Sequence, residues 1–197
     1  MKSIFIILFI AIVVPASYAQ VSTNESKHMT FKGVPIDGTL NSYVTKMERS
    51  GFEHIETEDG VAILTGDFAG YKDCFIGVVT LEPKNLVSKI TVIFPELDTW
   101  SELAANYYYL QELLTEKYGE PSDVLEKFDT YSEPDDDRGR MHEVQMDNCK
   151  YYTTYETEKG SIQLSIDHES VFSCFVRLSY FDKINGKLLR EKAKGDL

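Results

Sequence analysis

"SIQLSIDHESVFSCFVRLSYF", residues 161–181, holds two runs of alternating residues on either side of "DHES". Ile162, Leu164 and Ile166 share one parity; Ser161, Gln163 and Ser165 share the other. Phe172, Cys174, Val176, Leu178 and Tyr180 alternate with Phe175, Arg177 and Ser179. Successive strand side chains point to opposite faces, so each run predicts a strand with one buried and one wet face. Parallel sheets are covered on both sides and read as unbroken apolar runs, so this pattern argues for an antiparallel sheet.

Upstream, Ile90, Val92 and Phe94 alternate with Lys89, Thr91 and Ile93. "FEHIET", "GVAILTGDF", "DCFIGVVTL" and "LVSKITVIF" read as four strands, punctuated by the turn chemistry of "EDG", "AGYK" and "EPKN". "DVLEKF" and "KYYTTYETE" add two more before residue 161. A helix is predicted over Thr39 to Ser50, where Leu40, Tyr43, Val44 and Met47 form one stripe and Gly51 follows as a C-cap. A second starts at "DTWSE", with Thr99 and Glu102 at capping-box spacing, and stops at "GEP" after Tyr118. Its core stripe is Trp100, Leu103, Tyr107, Leu110 and Leu114. "MHEVQMDN" fits a short helix or another strand.

The order is one helix then four strands, twice. Two helices cannot cover both faces of eight strands. The expected architecture is therefore α+β: two tandem helix-plus-four-strand antiparallel units, helices on one face of the sheet and the other face open. The boundaries are a first unit at 29–96, a second at 97–182 and a basic tail at 183–197, with residues 20–28 flexible. Residues 1–19 read as a secretory signal peptide: Lys2, the apolar run Ile4 to Val14, then Pro15 and small residues at Ser17 and Ala19. Cleavage before Gln20 leaves 197 − 19 = 178 residues and an exported, non-lipoprotein chain, since the first cysteine is Cys74.

Lys+Arg number 20 and Asp+Glu 32, a net charge of −12, or −13 without Lys2. Such a surface argues against nucleic acid and anionic membranes as partners. No later stretch is long and apolar enough to span a bilayer.

Element order and several phrases carry resemblances. "SGFEHI" and "YGEPSDVL" follow the two helices, and "DCFIGVVT" is echoed by "NCKYYTTY". Two helix-plus-four-strand units in series resemble the tandem repeats of the β-lactamase inhibitor protein and of the outer-membrane assembly lipoproteins related to it in fold. "FKGVPIDGTL", "GDFAGYKDC" and "LLTEKYGEP" resemble exported proteins of Bacteroidetes with no assigned activity. The first resemblance implies a protein-binding module whose open sheet face meets its partner; it transfers no binding residue.

The residues themselves offer little chemistry. There is no phosphate-binding glycine loop, no G-x-S-x-G and no H-E-x-x-H. "DHES", Asp167 to Ser170, reads as a polar turn between strands. "EPDDDRGR" reads as a mobile acidic loop, with weak calcium binding the lesser alternative. His28, His54, His142 and His168 are scattered, so no metal site and no cofactor are expected. Cys74 and Cys149 occupy like positions in the two halves; they pair at the seam or remain free buried thiols. In a simple meander Cys149–Cys174 is disfavoured, because two strand spacings exceed the reach of a disulfide; another strand order would readmit it.

The candidate binding residues are Gln163, Phe175 and Arg177 on the wet sheet face, unless Phe175 packs under a loop or the tail. Tyr109 and Leu113 join them from the second helix. Tyr109 lies about 200° from Tyr107 and so looks away from the core, towards the tail, a partner or water. The leading reading is a non-enzymatic exported module that binds another protein. The alternatives are a carrier of a small apolar ligand and a hydrolase with a site assembled from distant residues.

Overall fold

The structure is a computed structural model that describes residues 26–81, 85–170 and 173–195. The expected signal peptide 1–19, residues 20–25 and Phe172 lie outside the described residues. A short hairpin, β1 (Thr30–Phe31) and β2 (Val34–Pro35), precedes α1 (Leu40–Arg49). Next come β3 (Glu53–Glu58), β4 (Val61–Phe68), β5 (Tyr71–Leu81) and β6 (Leu86–Ile93). They are followed by α2 (Trp100–Tyr118), β7 (Asp123–Phe128), α3 (Asp137–Gln145), β8 (Cys149–Glu156), β9 (Gly160–Ser170), β10 (Ser173–Asp182) and α4 (Lys183–Gly195).

The eight long strands form one antiparallel sheet in the order β3-β4-β5-β6-β10-β9-β8-β7. The α+β class and the antiparallel sheet are as expected. β6 and β10 join its two halves, with Arg177 opposite Ile93 and Tyr180 opposite Ile90. The stretch 161–181 therefore lies at the middle of the sheet, which is why one parity of it is so apolar.

Both anticipated helical stripes are buried: Leu40, Tyr43, Val44 and Met47 on α1, and Trp100, Leu103, Tyr107, Leu110 and Leu114 on α2. They pack on the sheet face carrying Leu64, Ile76, Ile90, Val92, Leu164, Val176 and Leu178. Full burial of each such side chain contributes roughly 1.5–3 kcal/mol. Thr99 caps α2 by accepting the Glu102 amide at 3.3 Å. Glu102 does not close the reciprocal half of a capping box; its carboxylate accepts the Thr99 hydroxyl at 2.7 Å.

Several expectations need correction. "DHES" is no turn: β9 runs through Ser170, and Asp167, His168 and Ser170 pair with Phe175, Cys174 and Ser173. The acidic loop is built into two helix starts. Asp136 accepts the Gly139 amide at 2.6 Å at the head of α3. Asp137 accepts the Trp100 and Ser101 amides, at 3.2 and 2.7 Å, and the Ser101 hydroxyl. Consecutive aspartates fan apart, which suits capping two different helices and not enclosing one cation. Those bonds hold the Asp137 carboxyl below the usual carboxylate range.

The basic tail is the helix α4, packed against β6, β9 and β10. His28, expected in the flexible N-terminus, is tied down. Asp182, 2% exposed, accepts the Met29 amide at 2.8 Å, the Asn185 amide at 2.9 Å and faces His28 Nδ1 at 3.0 Å. Asn185 Nδ2 donates to Val87 O at 2.8 Å and Ile36 O at 3.2 Å. This clamp joins the N-terminal segment, α1's entry loop, β6 and α4, so the carboxylate's acceptor capacity goes to architecture.

Candidate functional site

Alternation puts a second set of residues on the sheet face opposite the core, and most are half-buried. In register across five strands, Phe75 of β5 opposes Ile93 of β6, then Arg177 of β10, Ser165 of β9 and Tyr152 of β8. Beside this row run Gly77, Thr91, Ser179, Gln163 and Thr154. Four strand spacings make each row about 19 Å wide. Phe75 is 50% exposed in the middle of a strand, and Gly77 beside it has no side chain to lean on. Ring against glycine on an uncovered face leaves apolar area that the monomer does not bury.

The charges on this face are mixed from β6 to β7 and acidic at the β3 edge. By strand parity Lys89, Arg177, Lys150 and Lys127 share it with Asp167, Glu156 and Asp123, and at the β3 edge Glu53, Glu56 and Glu58 join it opposite Thr65, Ile63 and Val61. Arg177 pairs with Asp167, and the Lys89 ammonium stands 5.1 Å over the Phe181 ring. Burial, then the Arg177 charge, lowers the Lys89 pKa from its ordinary value.

The anticipated residues separate. Gln163 and Arg177 lie on this face in adjacent rows. Phe175 has the right parity but is only 5% exposed and lies outside the main core cluster. The linker after β6 continues along this part of β10, with Phe94 N donating to Val176 O and Leu97 N to Cys174 O, each at 3.0 Å. Burial removes Phe175 as a contact residue. Phe75 takes its place, and the alternation in "DCFIGVVT" carries the same signal, with Cys74, Ile76 and Val78 inward and Phe75 outward.

Tyr109 and Leu113 are elsewhere, on α2. The three consecutive tyrosines fan out over the sheet. The Tyr107 hydroxyl meets Thr153 Oγ1 of β8 at 2.5 Å. Tyr108 donates to Glu126 of β7 at 3.3 Å; burial and that carboxylate push its hydroxyl up to about 12. Tyr109, 49% exposed, tilts against Tyr71 of β5 with ring centres 6.5 Å apart. Its neighbour is thus a strand residue and not the tail. Leu113 lines an apolar crevice of about 120 Å³ with Phe68, Leu110, Tyr118, Leu178 and Tyr180.

Cys74, Cys149 and Cys174 are free and buried. Cys74 in β5 and Cys149 in β8 are four strand spacings apart, about 19 Å, so they do not meet at the seam. β9 separates β8 from β10, as the argument against Cys149–Cys174 requires. Burial pushes the Cys74 thiol up to about 11 and Cys149 up to about 12, the opposite of nucleophile activation. Among the described residues no His/Cys/Asp/Glu group is arranged to hold a metal ion. His168 Nδ1 is buried with no hydrogen-bond partner among the described residues; the thiol opposite it, Cys174, is buried, and burial raises its pKa, against its serving as a nucleophile. Comparison with protein-family models, curated proteins and solved structures gives no match.

Proposed function

We propose that this chain is an exported, non-enzymatic protein-binding module, and that the uncovered sheet face is its docking surface. The observation that carries the reading is the row Phe75–Ile93–Arg177–Ser165–Tyr152: an exposed aromatic, a β-branched residue, an arginine and a tyrosine in register on a broad surface. Aromatics and arginine are the residues on which interfaces concentrate their energy. Two successive helix-plus-four-strand units form part of the proposal. α1 precedes β3–β6 and α2 precedes β7–β10, and each set of four is in sequential order. The insertion of α3 and the addition of α4 depart from that plan. Export rests on the signal-peptide reading of residues 1–19.

The alternatives have less support. The apolar crevice under α2, about 120 Å³, is well below the roughly 300–1,000 Å³ of small-molecule sites. A hydrolase needs a nucleophile, an orienting base and an oxyanion donor converging on one point.

The test is a pull-down from the exported fraction of the source cells with the mature chain as bait. Phe75→Ala and Arg177→Ala should each weaken the captured complex about tenfold, at unchanged melting temperature. Tyr109→Ala, on the other side of the sheet, should leave it intact. Equal capture by wild type and both sheet-face variants would overturn the docking surface.

A further inference from the structure

α4 has a charge pattern opposite to that of the chain it ends. Lys183, Lys187, Arg190 and Lys194 recur at intervals of four, three and four, which places them along one stripe of the helix. The stripe borders a cleft of about 450 Å³ between α4 and the ends of β8, β9 and β10. Lys183, Lys187, Arg190, Ser161, Phe181 and Glu156 line it. Gly160 and Gly186 complete the wall, and the open space beside Gly186 lets a ligand approach the backbone there. Three cations thus face a single carboxylate, in a protein of net −12. Neither Lys187 nor Arg190 forms an ion pair within the described residues, whereas Lys194 is held by Glu191 at 3.0 Å. Lys183 reaches Glu158 O at 3.4 Å.

We infer that this cleft binds a phosphorylated polyol. A phosphate monoester carries about −1.5 to −2 charges near neutral pH, matching Lys187 and Arg190 together, where a single carboxylate would need one cation. The volume exceeds what a bare phosphate fills and lies within the range of small-molecule sites. Glu156 and Ser161 supply acceptors and a donor for hydroxyl groups, and Phe181 supplies an apolar wall for a carbon skeleton. The site is separate from the Phe75–Tyr152 row and does not depend on the docking proposal.

The probe is glucose 6-phosphate, titrated into the mature chain by calorimetry, with glucose, inorganic phosphate and phosphatidylglycerol vesicles as the other arms. Glucose 6-phosphate should bind and inorganic phosphate should compete, while glucose alone should not bind. The double variant Lys187→Gln/Arg190→Gln should lose about tenfold or more in affinity, since two charge-assisted contacts go. Its melting temperature should be unchanged, because both side chains are exposed. Glu156→Gln should weaken glucose 6-phosphate but not inorganic phosphate. No binding at millimolar glucose 6-phosphate, binding unchanged in the double variant, or binding to vesicles alone would each overturn the inference.

Discussion

α1 and α2 lie on the same sheet but are held to it differently. The contact face of α1 is wholly apolar apart from one group: the Tyr43 hydroxyl, fully buried, finds no hydrogen-bond partner among the described residues. α2 is stapled by hydroxyls. Thr153, 0% exposed at the centre of β8, meets the Tyr107 hydroxyl at 2.5 Å and the Gln111 amide at 2.8 Å. Tyr155 donates to Gln111 O at 3.0 Å and lies 2.9 Å from Thr115. An apolar contact tolerates sliding, because the hydrophobic effect is non-directional, whereas buried hydroxyl pairs set register and orientation. α2 bridges both halves of the sheet, reaching β5 through Asn106 and Tyr71 at 3.0 Å as well as β7 and β8, so its orientation has more to align.

The largest expected effect comes from the half of the sheet under α2. A Cβ at Gly160 would stand 2.0 Å from the Phe181 carbonyl oxygen, and backbone in a paired strand cannot retreat. Gly160→Ala should destabilise by about 3 kcal/mol in urea unfolding. A native-like midpoint would mean that the β9–β10 hairpin is looser than its register indicates. Thr153→Val should follow, at about 2 kcal/mol, because it strands the buried Tyr107 hydroxyl and leaves the Gln111 amide only its bond to Glu126, at 3.2 Å. If it costs nothing, the staple adds no stability and the contrast with α1 fails. In the half under α1, a Cβ at Gly66 would meet the Phe52 ring at 2.6 Å. A ring can rotate, so Gly66→Ala should cost about 1 kcal/mol, clearly less than Gly160→Ala.

The alkaline limit sharpens the comparison further. Burial raises the folded-state thiol of Cys74 to about 11 and of Cys149 to about 12, above the roughly 8.5 of an unfolded cysteine. The unfolded chain therefore loses these protons first. The contribution is complete below about pH 8.5 and is lost as pH rises through 11 and 12. Stability should fall across that interval, and native protein at pH 8 should not react with a thiol reagent until it unfolds. Rapid labelling of the folded chain would refute the burial. The smallest effect belongs to Tyr43→Phe, which removes an unpartnered hydroxyl and should leave stability unchanged or raise it by less than about 1 kcal/mol. A loss of stability there would reveal a partner for that hydroxyl.

Local periodicity made much of the molecule legible. The stripes of both long helices and the inward parity of residues 162–180 follow from 3.6- and 2-residue repeats, which need no knowledge of what lies across the sheet. Glycines at 51 and 119 took positive φ at the helix ends, as L side chains rarely do. Phe75 was equally readable from its strand and marks the candidate face better than Phe175 does. The capping by Asp136 and Asp137 was not legible, because Asp137's partners, Trp100 and Ser101, are more than thirty residues away.

By itself the sequence determined the α+β class, the antiparallel sheet, which parity of the strands around 89–94, 161–166 and 173–180 turns inward, and the acidic charge that disfavours polyanionic partners. Only the tertiary structure decided that β6 pairs with β10. That pairing separates Cys74 from Cys149 and sets Phe75 beside Ile93 and Arg177 in one row. It also decided that Phe175 is enclosed, that His28 is clamped by Asp182, and that the basic tail folds into a helix bordering a cleft. The physical reason is the range of the interactions. Alternation and helical stripes record a residue's relation to its own strand or helix, while strand order, enclosure and charge convergence depend on elements distant in the chain.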